Sequence, residues 1–349
     1  MPRKPTPVLP MIRTAVVGAG YWGPNLIRNF HNGLRSSVVM VVDQDVSRRE
    51  ETKKRFPGIQ TSADISEALS NADVDAVVIA TPTRSHFEMA RKALDAGKHV
   101  LVEKPIATST EEAEELGRLA DKAGLVLMVG HVFLFNPGVR RVRELIVDGS
   151  LGRIYYASMT RVSLGPIRLD VDAGWDLASQ DISIANYWLS GRPATVTASA
   201  GNWINQGVND AVFMTLRYPE GAVVHVQVSW LSPRKIREAT VVGEHRMLTL
   251  DDMNVLEPLR IYDKGVAEEK ATRGWIDSLA TFRASLREGD VVIPRVTLGE
   301  PLRTECDHFL TCIETKERPL TDARQAGDVV RVLAAMDRSL KNQSREEAV

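Results

Sequence analysis

The chain has 349 residues, more than one compact core usually holds, so two domains are expected. It is 44% hydrophobic and 26% charged, an ordinary globular composition, and no stretch is long and apolar enough to span a bilayer. Its 44 Lys and Arg balance 45 Asp and Glu, which argues against an electrostatic role on nucleic acid or an anionic membrane.

Residues 1–10 hold four prolines and two basic residues but no apolar core. They read as a flexible leader and not a signal peptide, and a cytoplasmic location is expected. Ile12 to Val17 is an apolar run ending in glycine, a buried strand. Trp22 to His31 reads as a helix, Val38 to Val42 as a β-branched strand, and Ser47 to Phe56 as a charged helix. Ser62 to Ser70 predicts a short helix with Ser62 as its cap. Ala76 to Ala80 is a strand. Arg84 to Ala96 is a helix stopped by Gly97. His99 to Val102 is a strand. Ser109 to Ala123 is a helix that opens on the capping-box pattern Ser-Thr-Glu-Glu and stops at Gly124. Val126 to Val129 is one more strand. This alternation predicts a doubly wound parallel sheet over residues 11–131.

The pattern then changes. Asn136 to Val147 is a helix. Arg153 to Val162 and Thr195 to Ala200 read as strands. Val212 to Tyr218 and Ala222 to Trp230 read as a hairpin around Pro219-Glu220-Gly221. Ala239 to Val242 and Met247 to Leu250 continue the run of strands, and Pro301 to Glu314 and Ala323 to Leu340 are helices. The fold class expected is therefore α/β: a Rossmann sheet, then an α+β domain over 132–349 on a large, mostly antiparallel open sheet. Cys306 and Cys312 have no metal-ligand spacing; they read as buried thiols of a reducing compartment, and no metal is expected.

Between the first strand and first helix stands Gly18-Ala19-Gly20-Tyr21-Trp22-Gly23. Gly18 permits a tight turn, Gly20 lets the backbone approach a pyrophosphate, and Gly23 lets helix and strand pack closely. The helix N-terminus offers N–H groups to the phosphates. The next strand ends in Asp43, about twenty residues on, where a carboxylate takes ribose hydroxyls and repels a 2′-phosphate. NAD is favoured over NADP, with Arg48 and Arg49 keeping NADP open.

After the fourth strand comes Thr81-Pro82-Thr83-Arg84-Ser85-His86, and the fifth runs into Glu103-Lys104-Pro105. From Ala80 to Pro105 the sequence resembles the glucose-fructose oxidoreductase and inositol dehydrogenase (Gfo/Idh/MocA) family, above all members acting on nucleotide-linked or modified sugars. The resemblance covers nearly the whole chain. It implies hydride transfer between nicotinamide and a ring carbon of a sugar or cyclitol, and homodimers or homotetramers built through the second domain's sheet. It implies that Lys104 meets the reacting oxygen, and that Thr81, Pro82, His86 and Glu103 line the cofactor beside Tyr21 and Trp22. Chemistry agrees for Lys104: a cation stabilises charge developing on oxygen and can accept or return its proton.

One departure stands out. The family carries Asp, three residues, then an acid–base His on an early helix of the second domain. Here Asp176 is present, but the histidine position is Gln180, which hydrogen-bonds and does not titrate. At 3.6 residues per turn, Asp176, Gln180, Ser183 and Tyr187 share a face opposite Ala178, Ile182, Ala185 and Leu189. Tyr187 is therefore a candidate acid, and Asp176 and Gln180 candidate substrate contacts. Asn136 and Arg161 are candidate substrate ligands, Arg161 for a phosphate or carboxylate. His131 stands at a strand end as a weaker candidate for the nicotinamide side, and His225 and Trp230 read as core or interface packing. The leading expectation is an NAD-dependent sugar dehydrogenase or ketoreductase. The alternatives are a non-catalytic dinucleotide-binding protein and a redox-assisted epimerase or eliminase.

Overall fold

A computed structural model describes residues 11–165, 167–168, 171–266, 286–297 and 299–349; the expected leader lies outside them. The chain divides into two units, one comprising the residues up to Val132 with Glu300–Val330, the other Phe133–Gly299 with Arg331–Val349.

The first unit is built on six parallel strands: β1 (Ile12–Val17), β2 (Ser36–Val42), β3 (Gln60–Ser62), β4 (Ala76–Ile79), β5 (His99–Glu103) and β6 (Leu127–Gly130). Their order is β3-β2-β1-β4-β5-β6, so the order reverses between β1 and β4, where open α/β sheets bind ligands. Helices on both faces make the central strands apolar throughout, and all four residues of β4 are buried. The helices are α1 (Gly23–His31), α2 (Val46–Arg55), α3 (Ile65–Ser70), α4 (His86–Asp95) and α5 (Thr110–Ala123).

Local chemistry sets their ends. Asp64 caps α3 by accepting from Ser66 N at 2.9 Å, whereas Ser62, the expected cap, ends strand β3 and accepts from Asp64 N at 3.0 Å. Ser109 caps α5 through Glu112 N, but the Glu112 carboxylate reaches back to Thr108, so only half of the capping box forms. Gly97 and Gly124 both take positive φ beyond their helices, +73° and +65°.

The chain returns to this unit late. Helix α8 (Pro301–Thr315) joins it: Phe309 meets Phe30 edge-on at 6.2 Å, and Glu314 and Thr311 hold Arg35. The stretch 132–349 is thus not one continuous domain. Both cysteines on α8 are buried free thiols.

The second unit carries a nine-stranded sheet. Its strands are β7 (Ile154–Leu164), β8 (Thr195–Gly201), β9 (Ala211–Arg217), β10 (Val223–Ser229), β11 (Leu231–Gly243), β12 (Met247–Asp251), β13 (Leu259–Tyr262), β16 (Val291–Val292) and β17 (Glu347–Ala348); a separate ribbon pairs β14 (Gly265–Val266) with β15 (Leu286–Arg287). The order is β16-β13-β12-β11-β7-β10-β9-β8-β17, antiparallel except where β10 runs parallel to β7. Residues alternate along each strand: Val212, Met214 and Leu216 of β9 are buried, while Phe213 and Arg217 point the other way and are exposed. Helices α6 (Pro137–Val147), α7 (Ser179–Leu189) and the end of α9 (Ala323–Lys341) belong with this sheet; Trp188 donates to Val139 O, and Ala198 N donates to Ser339 Oγ. Among the described residues, no helix is long and apolar enough to cross a membrane.

Candidate functional site

The glycine turn explains itself atom by atom. Gly18 has φ +96°, and a β-carbon there would lie 2.6 Å from Ala80 O. A β-carbon on Gly23 would lie 2.0 Å from Gly18 O. Gly18 N donates to Val42 O at 2.7 Å, which ties the turn to β2. Helix α1 then begins with Gly23 and Pro24 and has no side-chain cap; Pro24 carries no N–H and Asn25 N donates to Trp22 O at 3.0 Å, so the N–H this first turn leaves for a ligand is that of Gly23. Tyr21 projects from the turn, 94% exposed.

Asp43 ends β2 and is buried. One carboxylate oxygen accepts from Ala19 N at 2.7 Å and the other from Asp45 N at 2.8 Å. This clamps the carboxylate against the glycine turn, with lone pairs left over for ribose hydroxyls. Arg49 is spent on the carbonyls of Asp43 and Gln44. Arg48 is half-exposed, 3.6 Å from the Asp43 carboxylate. The turn, the uncapped helix and the fixed carboxylate fit a dinucleotide.

The Thr81 and Lys104 turns, at the carboxyl ends of β4 and β5, are braced together by one side chain. His86 is buried, with Nδ1 2.7 Å from Pro105 O and Nε2 2.8 Å from Thr81 O. His86, expected to line the cofactor, turns both ring nitrogens to protein carbonyls. Ser85 Oγ donates to Thr81 Oγ1 and to Pro82 O, closing the first turn. The second holds a cis Lys104–Pro105 bond. Glu103 Oε2 accepts from Lys104 N at 3.3 Å. Burial pushes the Glu103 carboxyl up to about 7, against the pull of the Lys104 charge and the Trp22 indole. His131 is buried directly after β6.

In the second unit the expected helical face forms only in part. Gly174–Ala178 is a π-turn, so the 3.6-residue spacing does not carry from Asp176 to Gln180. Helix α7 beyond it is buried nearly all round, Gln180 and Ser183 as well as Ile182 and Ala185. Asp176 accepts from Arg168 Nη1 at 3.0 Å and from the buried Trp230 indole at 3.2 Å. Gln180 Oε1 is buried without a hydrogen-bond partner among the described residues. Tyr187, two turns along α7 from Gln180, has its ring 5.6 Å from the Arg143 guanidinium. Burial pushes the nearby phenol of Tyr218, which donates to Asn186, far above the usual range.

The two expected substrate ligands are occupied. Asn136 caps α6 through Gly138 N at 2.8 Å and donates to Asp252 at 2.8 Å. Arg161 is buried and bidentate to Asp181 at 2.9 Å for both bonds, over the Phe133 ring at 4.2 Å. Arg161 is thus engaged by Asp181, and Asp181, Phe133, Arg237 and Asp252 share its recess. Periodicity carries no sign of such a pairing. Arg161→Met is expected to cost about 3–5 kcal/mol by stranding the Asp181 charge, and Arg161→Met with Asp181→Leu to recover most of it. Urea unfolding of the two variants measures both. His225 lies on the exposed face of β10, not in a core.

Comparison with known proteins decides the lineage. The model of the GFO/IDH/MocA oxidoreductases with an NAD-binding Rossmann fold matches residues 12–131, and that of the GFO/IDH/MocA C-terminal domain matches residues 139–249. The chain belongs to this oxidoreductase family. Its first unit is the family's NAD-binding fold, and NAD is its cofactor. The chain is 30% identical to 2,7-anhydro-N-acetylneuraminate hydratase of Escherichia coli over 72% of its own length and 70% of that protein. It is 29% identical to UDP-N-acetylglucosamine 3-dehydrogenase of Acidithiobacillus ferrooxidans over 73% and 78%. The crystal structure of GenD2 from gentamicin A biosynthesis in complex with NAD superposes with a TM-score of 0.80, at 25% identity, over 100% of this chain and 99% of that one. Several other curated relatives are matched over only 44–60% of their own lengths.

Proposed function

We propose that this chain is an NAD-dependent oxidoreductase acting on a ring carbon of a sugar, of the nucleotide-linked or otherwise modified kind. The observation that carries this reading is the braced pair of turns at the carboxyl edge of the parallel sheet, with Lys104 on the second turn. NAD supplies the hydride acceptor when bound. Lys104 takes the proton of the substrate hydroxyl, or returns it in the reverse direction. Asp43 holds the ribose hydroxyls, and the Gly23 N–H at the start of α1 meets a phosphate.

Gln180 takes a different part from an acid–base histidine. Its orphaned oxygen is a buried acceptor, and a substrate hydroxyl is the donor it lacks. It can orient that hydroxyl and cannot carry its proton. The Arg168 and Trp230 bonds hold the Asp176 carboxylate in place. Gln180→Ala is expected to lower kcat/KM by about tenfold, the value of one such bond. NADH absorbance across a panel of UDP-sugars, free sugars and cyclitols tests the reading; no turnover on any of them, with NAD bound, defeats it.

A second reading has one observation in its favour, the untitratable Gln180 in a chain similar to a protein named as a hydratase. It predicts product without net NADH. In either case we assign the cofactor to residues 11–131 and the substrate to the second unit. A second copy of the chain packs on the sheet face that carries Tyr156 and Phe213, 50% and 38% exposed.

A further inference from the structure

Arg161 and Asp181 form a buried ion pair that stability alone does not explain. The side chains are 9% and 5% exposed, and the guanidinium grips the carboxylate with two bonds of 2.9 Å. Taking both charges out of water cancels most of their attraction, so an apolar pair of similar volume often holds a fold as well. What a bidentate fork adds is direction: two parallel bonds fix the carboxylate in one plane and at one angle. An element held in this way is held in orientation.

That element is the start of α7, where Asp181 directly follows Gln180. On the other side of Gln180 lies the π-turn Gly174–Ala178, in which Asp176 accepts from the Trp230 indole at 3.2 Å. Gln180 thus stands between two fixed carboxylates. Both grips come from one place in the sheet. β10 runs parallel to β7 with Val228 opposite Arg161, so Arg161 and Trp230, the residue just past β10, lie toward the same end of adjacent strands. An antiparallel β10 would carry Trp230 to the opposite end of the sheet.

We propose that Arg161 is a positioning residue: through Asp181 it fixes the first turn of α7 behind the π-turn, and so aims the buried amide oxygen of Gln180 at the substrate hydroxyl. The inference deepens the reading of Gln180 given above and rests on it.

The π-turn makes such an anchor necessary. A π-turn is a rare winding, found mostly as a single turn at functional sites. If one residue slips into α-helical winding, everything beyond it turns by about 100°, one residue's share of a 3.6-residue turn. Gln180 Oε1 has no hydrogen-bond partner among the described residues, so its aim is inherited from the backbone beneath it. The anchor itself is stacked as well as bonded. The Phe133 ring lies 4.2 Å from the Arg161 guanidinium and 5.3 Å from that of Arg237, which pairs with Asp252 at 3.3 Å. A lysine ammonium reproduces neither the fork nor the flat stacking face.

The test is a double-mutant cycle in the full-length protein, read as kcat/KM by NADH absorbance with whichever UDP-sugar, free sugar or cyclitol of the panel above turns over fastest. Arg161→Met with Asp181→Leu keeps the packing and removes the fork. It is expected to lower kcat/KM by about tenfold, as Gln180→Ala does, while calorimetry finds NAD affinity within about twofold of the parent's. Gln180→Ala made in that background is expected to change kcat/KM by no more than about twofold, since the oxygen it removes is no longer aimed. Arg161→Lys keeps the charge without the fork; it is expected to behave in the same way, and it carries the test should the apolar pair not fold. A merely structural pair gives either no loss of kcat/KM in the folded variants or losses that multiply with Gln180→Ala, and each result overturns the proposal. Failure of the Gln180 reading looks different: Gln180→Ala then leaves the parent's kcat/KM unchanged.

Discussion

Lys104→Ala is expected to lower kcat by about 10²- to 10⁴-fold, the usual share of a positioned proton-transfer group. NAD affinity, read by calorimetry, is expected to change by no more than a few-fold. The glycine turn, the open end of α1 and Asp43 are untouched by the substitution. The reason is positional. Lys104 follows the last residue of β5, and its backbone N–H is tied to Glu103 while the next carbonyl is tied to His86. Turnover within tenfold of the parent would sink the assignment. Lys104→Arg keeps the charge and is expected to recover little, because a guanidinium does not deprotonate in proteins.

Gly23→Ala is expected to reduce NAD binding by at least about a hundredfold and to cost about 1–3 kcal/mol or more in stability. One added methyl has nowhere to go. Its carbon would stand 2.0 Å from Gly18 O, a backbone atom, so the turn or α1 must shift. Both carry the phosphate site. Gly20→Ala is the informative control, because its β-carbon meets only the flexible tip of Arg48, at 3.5 Å. That variant is expected to keep its thermal midpoint and to lose affinity through the ligand alone. Thermal melts and calorimetry on the two variants separate the effects. Equal losses of stability would overturn the packing account of Gly23.

Part of the site was readable because its causes are local. Gly18 needs a positive φ, Gly23 needs bare space, and β4 needs apolar residues on both faces; each demand leaves a mark at its own position. The Thr81-to-His86 and Glu103-to-Pro105 runs were legible as motifs, but not why they go together: one imidazole spans both turns. The helical wheel over Asp176 to Leu189 failed for an identifiable reason. A π-turn takes more residues per turn, so Asp176 leaves the face that Gln180, Ser183 and Tyr187 keep along α7, and nothing in the side-chain pattern announces it.

The sequence by itself thus determined the dinucleotide fold and the places of Asp43 and Lys104 at strand ends. Backbone strain, burial on two faces and strand-end placement are imposed residue by residue. Only the tertiary structure decided that α8 returns to the first unit and that β10 lies parallel to β7. It also decided that Arg161 is paired with Asp181, that Gln180 keeps an unanswered acceptor, and that Glu305 is buried with no hydrogen-bond partner among the described residues. Pairing of charges and burial of an acid depend on partners far apart in the chain, and local pattern carries no record of which distant group arrives.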